Sequence, residues 1–228
     1  MLPGQGHSEK TGNWSESPLL INPGGPGGSG VQLVLLAGQA LQSVVGTDHD
    51  IIGFDPRGIG ASIPNLDCFL PSLEHAPPDD GLRGLATLHR LTWMDSELQI
   101  GLANTSDTAA SRIVTHKKAW NALCHNQDDE DSILRHAQTP NVAQDMLRIV
   151  QAWDTWTEQE AKKMVKCPHN GGSRRQATDE EKTTAPSTRG KLVYWGFSYG
   201  SVLGATFAAM FRKTTPLQHE RIKVSANS

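Results

Sequence analysis

Residues Gly196–Gly200 read Gly-Phe-Ser-Tyr-Gly, a Gly-x-Ser-x-Gly pattern between an apolar run, "KLVYW", and a small apolar segment, "SVLGATFAAMF". A serine held at a sharp strand-to-helix turn can present its hydroxyl as a nucleophile. The flanking glycines, Gly196 and Gly200, remove side chains that would collide with neighbouring backbone. The N-terminus of the following helix would face the negative charge formed after attack on a carbonyl. That chemistry is acyl transfer with Ser198 as the attacking group. The plainer alternative is an ordinary turn serine, with glycines serving tight packing.

A second stretch bears on the same chemistry. "INPGGPGGSG" (Ile21–Gly30) puts five glycines and two prolines behind the apolar "SPLLIN". A nucleophile elbow needs a further backbone donor for the oxyanion, supplied by the loop after an earlier strand. Glycines at Gly24, Gly25 and Gly27 would let a carbonyl oxygen reach the loop amides, with Asn22 at the strand end in support. The two loops are therefore expected to form one site.

Gly25–Gly30 also fits the Gly-x-Gly-x-x-Gly of dinucleotide-binding folds, after a strand and before a helix. That reading needs an acid about 20 positions on, at the end of the next strand. Asp48 and Asp50 have the spacing but precede that strand, whereas Asp55 ends it and lies late. It also leaves Gly196–Gly200 unexplained. A phosphate-binding loop fails because no Gly-Lys-Ser/Thr closes the run.

"FDPRGIGAS" (Phe54–Ser62) is expected to be a tight turn held by hydrogen bonds from Asp55 and Arg57, bracing the glycine loop. A hydrolase of this type orders its triad as serine, acid, histidine along the chain. After Ser198 the sequence offers only His219 and Glu220, in a polar tail with no strand pattern. Cys124-His125 and Cys167–His169 are too isolated for a zinc site.

The elements that must position these loops follow from pattern. Ser17–Asn22, His49–Asp55 and Lys191–Trp195 read as buried strands, with a helix after the first and third. The order strand, loop, helix, strand predicts an α/β fold with a parallel sheet covered by helices. Thr139 is expected to cap a helix with Pro140 in its first turn and Val142, Met146, Ile149, Val150 and Trp153 on one face. An earlier helix is expected around "SRIVTHKKAWNALC", and residues 158–190 as a solvated loop.

The 228 residues suffice for one domain, and a net charge of −3 implies no nucleic-acid surface. No stretch reaches the roughly 18 apolar residues of a membrane span, and no leader-like apolar run follows Met1, so a soluble globular chain is expected. Sequons at Asn13 and Asn104 decide little alone, and the compartment stays open.

"LLINPGGPGGSG", "HDIIGFDPRGIGAS", "TPNVAQDMLRIV" and "KLVYWGFSYGSVLGATFAAMF" together resemble the tripeptidyl aminopeptidase-like branch of α/β-hydrolases, related to prolyl aminopeptidase. The resemblance covers about residues 17–211. It implies Ser198 as nucleophile, Gly25 and Tyr199 amides as oxyanion donors, a peptide or small acyl substrate and no cofactor. It also implies exopeptidase activity, a helical insertion over about 63–138 in which Cys68 and Cys124 pair, and a leaning toward secretion. Members carry strands before the first one here and, later, the acid and histidine. Residues 1–16 and 212–228 match neither, so the chain is expected to be a partial hydrolase, inactive alone, with an open sheet edge and dependence on a partner of unknown kind. A catalytically dead relative acting as a binding protein is the alternative.

Overall fold

A computed structural model of the chain describes residues 1–7, 14–69, 81–126, 128, 130, 132–166 and 187–214. It divides into two compact units, residues 1–62 with 137–228, and residues 63–136.

The first unit is built on strands β1 (Leu19–Asn22), β2 (Ile51–Gly53) and β3 (Val193–Gly196). They are parallel in the order β2-β1-β3, with Leu19 opposite both Ile51 and Val193. Helix α1 (Gly30–Val45) joins β1 to β2, α4 (Thr139–Lys166) leads into β3, and α5 (Tyr199–Met210) leaves it. From the central β1 the chain steps to one neighbour and later returns to the other. Right-handed crossovers in opposite directions place their helices on opposite faces of the sheet.

Side-chain alternation along β1 then divides the core. Leu19 and Ile21 pack with Ile51 on the α1 face, against Leu33, Val34 and Leu41. Leu20 faces the other way, into Val142, Met146, Val150, Leu203 and Phe207 from α4 and α5. The face predicted for α4 is the one buried, with Met146 fully enclosed and Ile149 packed at its margin.

Three local details depart from the sequence reading. Thr139 is the first helical residue and not the cap; Gln138 O accepts the Asn141 and Val142 amides. The Thr139 hydroxyl is engaged elsewhere, 2.6 Å from the Tyr199 hydroxyl. Helix α4 also continues through residues 158–166, where the sequence predicts a solvated loop. Glu, Gln, Ala and Lys there are strong helix formers, and Trp14 stacks on Trp156 one turn earlier. Residues 167–186, the rest of that loop, lie outside the described residues. Finally, the polar N-terminal segment is docked: Leu2 exchanges two 2.8 Å backbone hydrogen bonds with Ile51 at the edge of β2.

The second unit carries α2 (Leu82–Ile100) and α3 (Ala109–His125). A disulfide joins Cys68 to Cys124. Phe69 packs edge to face on Trp93 and Trp120, whose rings are tilted on each other, and His116 lies against Trp93 with its Nε2 2.9 Å from Ser96 Oγ. Helix α2 lies within the helical insertion that the resemblance implies over about 63–138, but no residue pattern predicts its own bounds. Its leucines Leu88, Leu91 and Leu98 are all more than half exposed, and the side it covers is only a thin line, buried Ala86 with half-buried Trp93 and Ile100. No helix among the described residues is long and apolar enough to cross a membrane.

Candidate active site

Parallel strands put all their C-terminal ends on one side. The step from β1 to either neighbour opens a crevice there, where ligands bind in such sheets. The loop after β1 and the turn after β3 meet at that crevice.

Ser198 stands between β3 and α5 with φ 51° and ψ −123°. It is the one non-glycine residue at positive φ among the described residues. A side chain in that region is strained, and such strain persists only where surrounding structure enforces it. Two contacts enforce it here. A Cβ on Gly196 would lie 2.4 Å from Gly200 O, and one on Gly24 would lie 2.2 Å from Phe197 O. Backbone from the glycine loop therefore rests directly on the turn. Ser198 is exposed, and its hydroxyl caps nothing in α5.

Below the turn, Tyr194 fills the space that Gly196 and Gly204 leave open and donates to Gly200 O at 2.9 Å. Burial, with a smaller contribution from Tyr199, pushes its ionisation far above the ordinary tyrosine value. Gly200 is buried against Asn22, whose carbonyl oxygen a Cβ there would approach to 2.9 Å.

Asn22 orders the glycine loop from beneath. It is 1% exposed, and its Oδ1 accepts the Gly24 amide at 2.8 Å. Its Nδ2 is buried without a hydrogen-bond partner among the described residues. The Gly28 amide donates to Gly24 O at 2.9 Å, closing the turn that holds Gly25 and Gly27. Among the described residues no protein group accepts a hydrogen bond from the Gly25 or Tyr199 amide.

Asp55 braces the far end of the loop. It accepts from Ser29 Oγ at 2.6 Å, the Val31 amide at 3.1 Å and the Ala61 amide at 2.9 Å. Burial raises its pKa, but these hydrogen bonds outweigh that and hold the carboxyl below the ordinary aspartate value. Ser29 in turn caps α1 by accepting the Gln32 amide. Arg57 does not close its own turn as predicted. It reaches α4 and pairs with Asp145 through two hydrogen bonds of 2.6 and 2.8 Å, which raise its pKa further. The partner lies 88 residues away, and nothing in the local sequence marks it.

The acids of the dinucleotide reading are placed unfavourably for it. Asp50 is fully buried just before β2, at the opposite end of the sheet from the crevice. Asp55 is occupied by α1. Cys124 is in the disulfide and cannot act as a thiolate ligand. His219, Glu220, Cys167 and His169 lie outside the described residues. Among those described, no histidine or carboxylate is hydrogen-bonded to Ser198.

Residues 17–223 match the family model described as the alpha/beta hydrolase fold. The chain is 28% identical over 193 residues to Serine protease Hip1 of Mycobacterium tuberculosis, covering 85% of the chain and 26% of that protein. It is 29% identical over 206 residues to a tripeptidyl aminopeptidase of Streptomyces coelicolor, covering 88% of the chain and 27% of the relative. A shorter stretch of 51 residues is 49% identical to Carboxylesterase B of Mycobacterium tuberculosis, covering 22% of the chain and 10% of that protein. The chain thus spans about a quarter of the length of the first two relatives. The relatives named as a tripeptidyl aminopeptidase and a serine protease agree with the branch that the motifs resemble. With three parallel strands, helices on both faces and a family match across residues 17–223, this chain belongs to the alpha/beta hydrolase fold family.

Proposed function

We propose that the chain carries the nucleophile half of a serine hydrolase of the aminopeptidase type, cleaving peptide, amide or ester bonds. Ser198 Oγ attacks the carbonyl carbon, and the Gly25 and Tyr199 amides receive the oxyanion. The observation carrying this reading is the strained backbone of Ser198 beneath the glycine loop, with Gly24 against Phe197 O. An ordinary turn serine needs neither. Asn22, Gly24 and Gly27 shape the loop, Gly196 and Gly200 the turn, and Asp55 and Arg57 tie both to α1 and α4. Relatives named as peptidases and as an esterase support acyl transfer and leave the leaving group open.

Proton transfer needs a base, and among the described residues no histidine or carboxylate is hydrogen-bonded to Ser198. Losing a triad member typically costs about 10⁴ to 10⁶ in rate. The chain alone is therefore expected to release no product from a chromogenic aminoacyl amide. It should still react slowly with an activated phosphonate ester, giving an adduct at Ser198 by peptide mass mapping. The S198A variant should stay unlabelled. Labelling unchanged in S198A would remove Ser198 from the role. Turnover that depends on Ser198 would show that the chain holds its own base.

A second reading has one observation in its favour: among the described residues no histidine or carboxylate is hydrogen-bonded to Ser198. In it the crevice binds a carbonyl-bearing peptide without cleaving it. Saturable peptide binding unaffected by S198A, with no phosphonate adduct, would favour that role.

A further inference from the structure

Outside the crevice, the second unit holds a feature that the hydrolase chemistry does not use. Helices α2 and α3 are joined by residues 101–108, all of them exposed. The Thr105 amide donates to Leu102 O at 3.0 Å, so Leu102–Thr105 form a β-turn with Asn104 at its third position. The Thr105 hydroxyl is also committed to Leu102 O, at 2.7 Å. Ser106, two residues after Asn104, has no side-chain hydrogen bond among the described residues, and neither has the Asn104 amide. Asn104-Thr105-Ser106 is therefore an Asn-x-Ser sequon presented on a turn tip, with its acceptor amide and its hydroxyl both unengaged.

A sequon means little in a reducing compartment, and the same unit speaks to that point. Cys68 is 2% exposed and bonded to Cys124. Disulfides of this structural kind form and persist where proteins are secreted. Two independent features of one unit, a buried disulfide and an exposed sequon turn, thus fit the same compartment.

We propose that Asn104 is an acceptor for an N-linked oligosaccharide. The Asn104 Nδ2 forms a bond to the anomeric carbon of a lipid-diphosphate-linked oligosaccharide. The bond from that carbon to the diphosphate breaks, the diphosphate leaves with the electron pair, and the amide proton passes to a base. No oxidant or reductant is involved. The glycan would stand beside Leu98 and Leu102, which are 81% and 73% exposed, and would shield apolar surface that helix packing leaves open. The second sequon offers a contrast. Its Asn13 lies outside the described residues, but Trp14 packs on Trp153 and Trp156, and Ser15 is bonded to buried Asp50.

The test uses the full chain recovered from a eukaryotic secretory host, treated with a peptide-N-glycosidase under denaturing conditions. The expected result is a loss of mass equal to one oligosaccharide at position 104, where the enzyme leaves aspartate. N104Q and S106A should abolish that loss, and S106T should restore it. Non-reducing peptide mapping should find Cys68–Cys124 joined in all of them. Unmodified Asn104 in molecules carrying that disulfide would overturn the proposal. So would a loss mapped to position 104 that survives in S106A.

Discussion

Just beyond the C-terminal ends of β1 and β3 two backbone amides, those of Gly25 and Tyr199, have no acceptor among the described residues, and Ser198 is held at φ 51°. At the N-terminal end of β2 the opposite holds. Asp50, fully buried, accepts from the Gly4 amide at 2.8 Å and the Ser15 amide at 2.6 Å, and lies 3.1 Å from His7 Nδ1. Its own amide donates to Ser15 Oγ. Both ends concentrate polar groups, yet at one end they satisfy one another and at the other two amides have no acceptor among the described residues. A carboxylate, a serine and a histidine gathered together are therefore no sign of catalysis here. The backbone conformation and the unengaged donors separate the two ends.

Five substitutions sharpen this contrast. The largest effect is expected from G24A, which forces a Cβ against Phe197 O at φ +83°. It should destabilise the first unit by about 4 kcal/mol in urea titration and abolish phosphonate labelling of Ser198. D50A should cost about 3 kcal/mol by leaving buried amides unpaired. The fraction that remains folded should still label at Ser198; loss of labelling there would break the distinction between the ends.

D55N should cost about 2 kcal/mol at neutral pH, because a carboxylate receiving several hydrogen bonds is replaced by a neutral amide. The folded pKa of Asp55 is depressed, so its contribution is complete above the unfolded value of about 3.9 and fades as pH falls through the lower folded value. The gap between wild type and D55N should accordingly narrow on acidification below pH 4. A gap that widens would reverse the sign. Smallest is a comparison of two variants that both lack the hydroxyl. S198G should exceed S198A in stability by about 1 kcal/mol, since only glycine occupies this backbone region without strain.

Much of the first unit was legible because its signals are local. Short apolar runs end in glycine or proline, and each strand with its turn fits within about ten residues. The contact between the glycine loop and the serine turn also followed, since each loop needs a neighbour that lacks side chains. What escaped depends on distant partners. Arg57 chooses Asp145, and Thr139 gives its hydroxyl to Tyr199 when its sequence neighbours suggest a cap. Helix α2 escaped for another reason: Leu88, Leu91 and Leu98 are exposed, and leucines on the outer side blur the contrast with Ala86 and Trp93 on the inner one.

Tyr194 gives the elbow an optical signature. Its hydroxyl donates to Gly200 O inside the turn, and burial delays its ionisation. The neutral ring favours the folded state, and that contribution is intact below the unfolded tyrosine pKa of about 10 and declines as pH rises through the elevated folded value. With only two tyrosines in the chain, tyrosinate absorbance in strong alkali becomes a meter of the turn itself. A late, cooperative rise would mark the moment at which the strand, its glycines and the serine above them come apart.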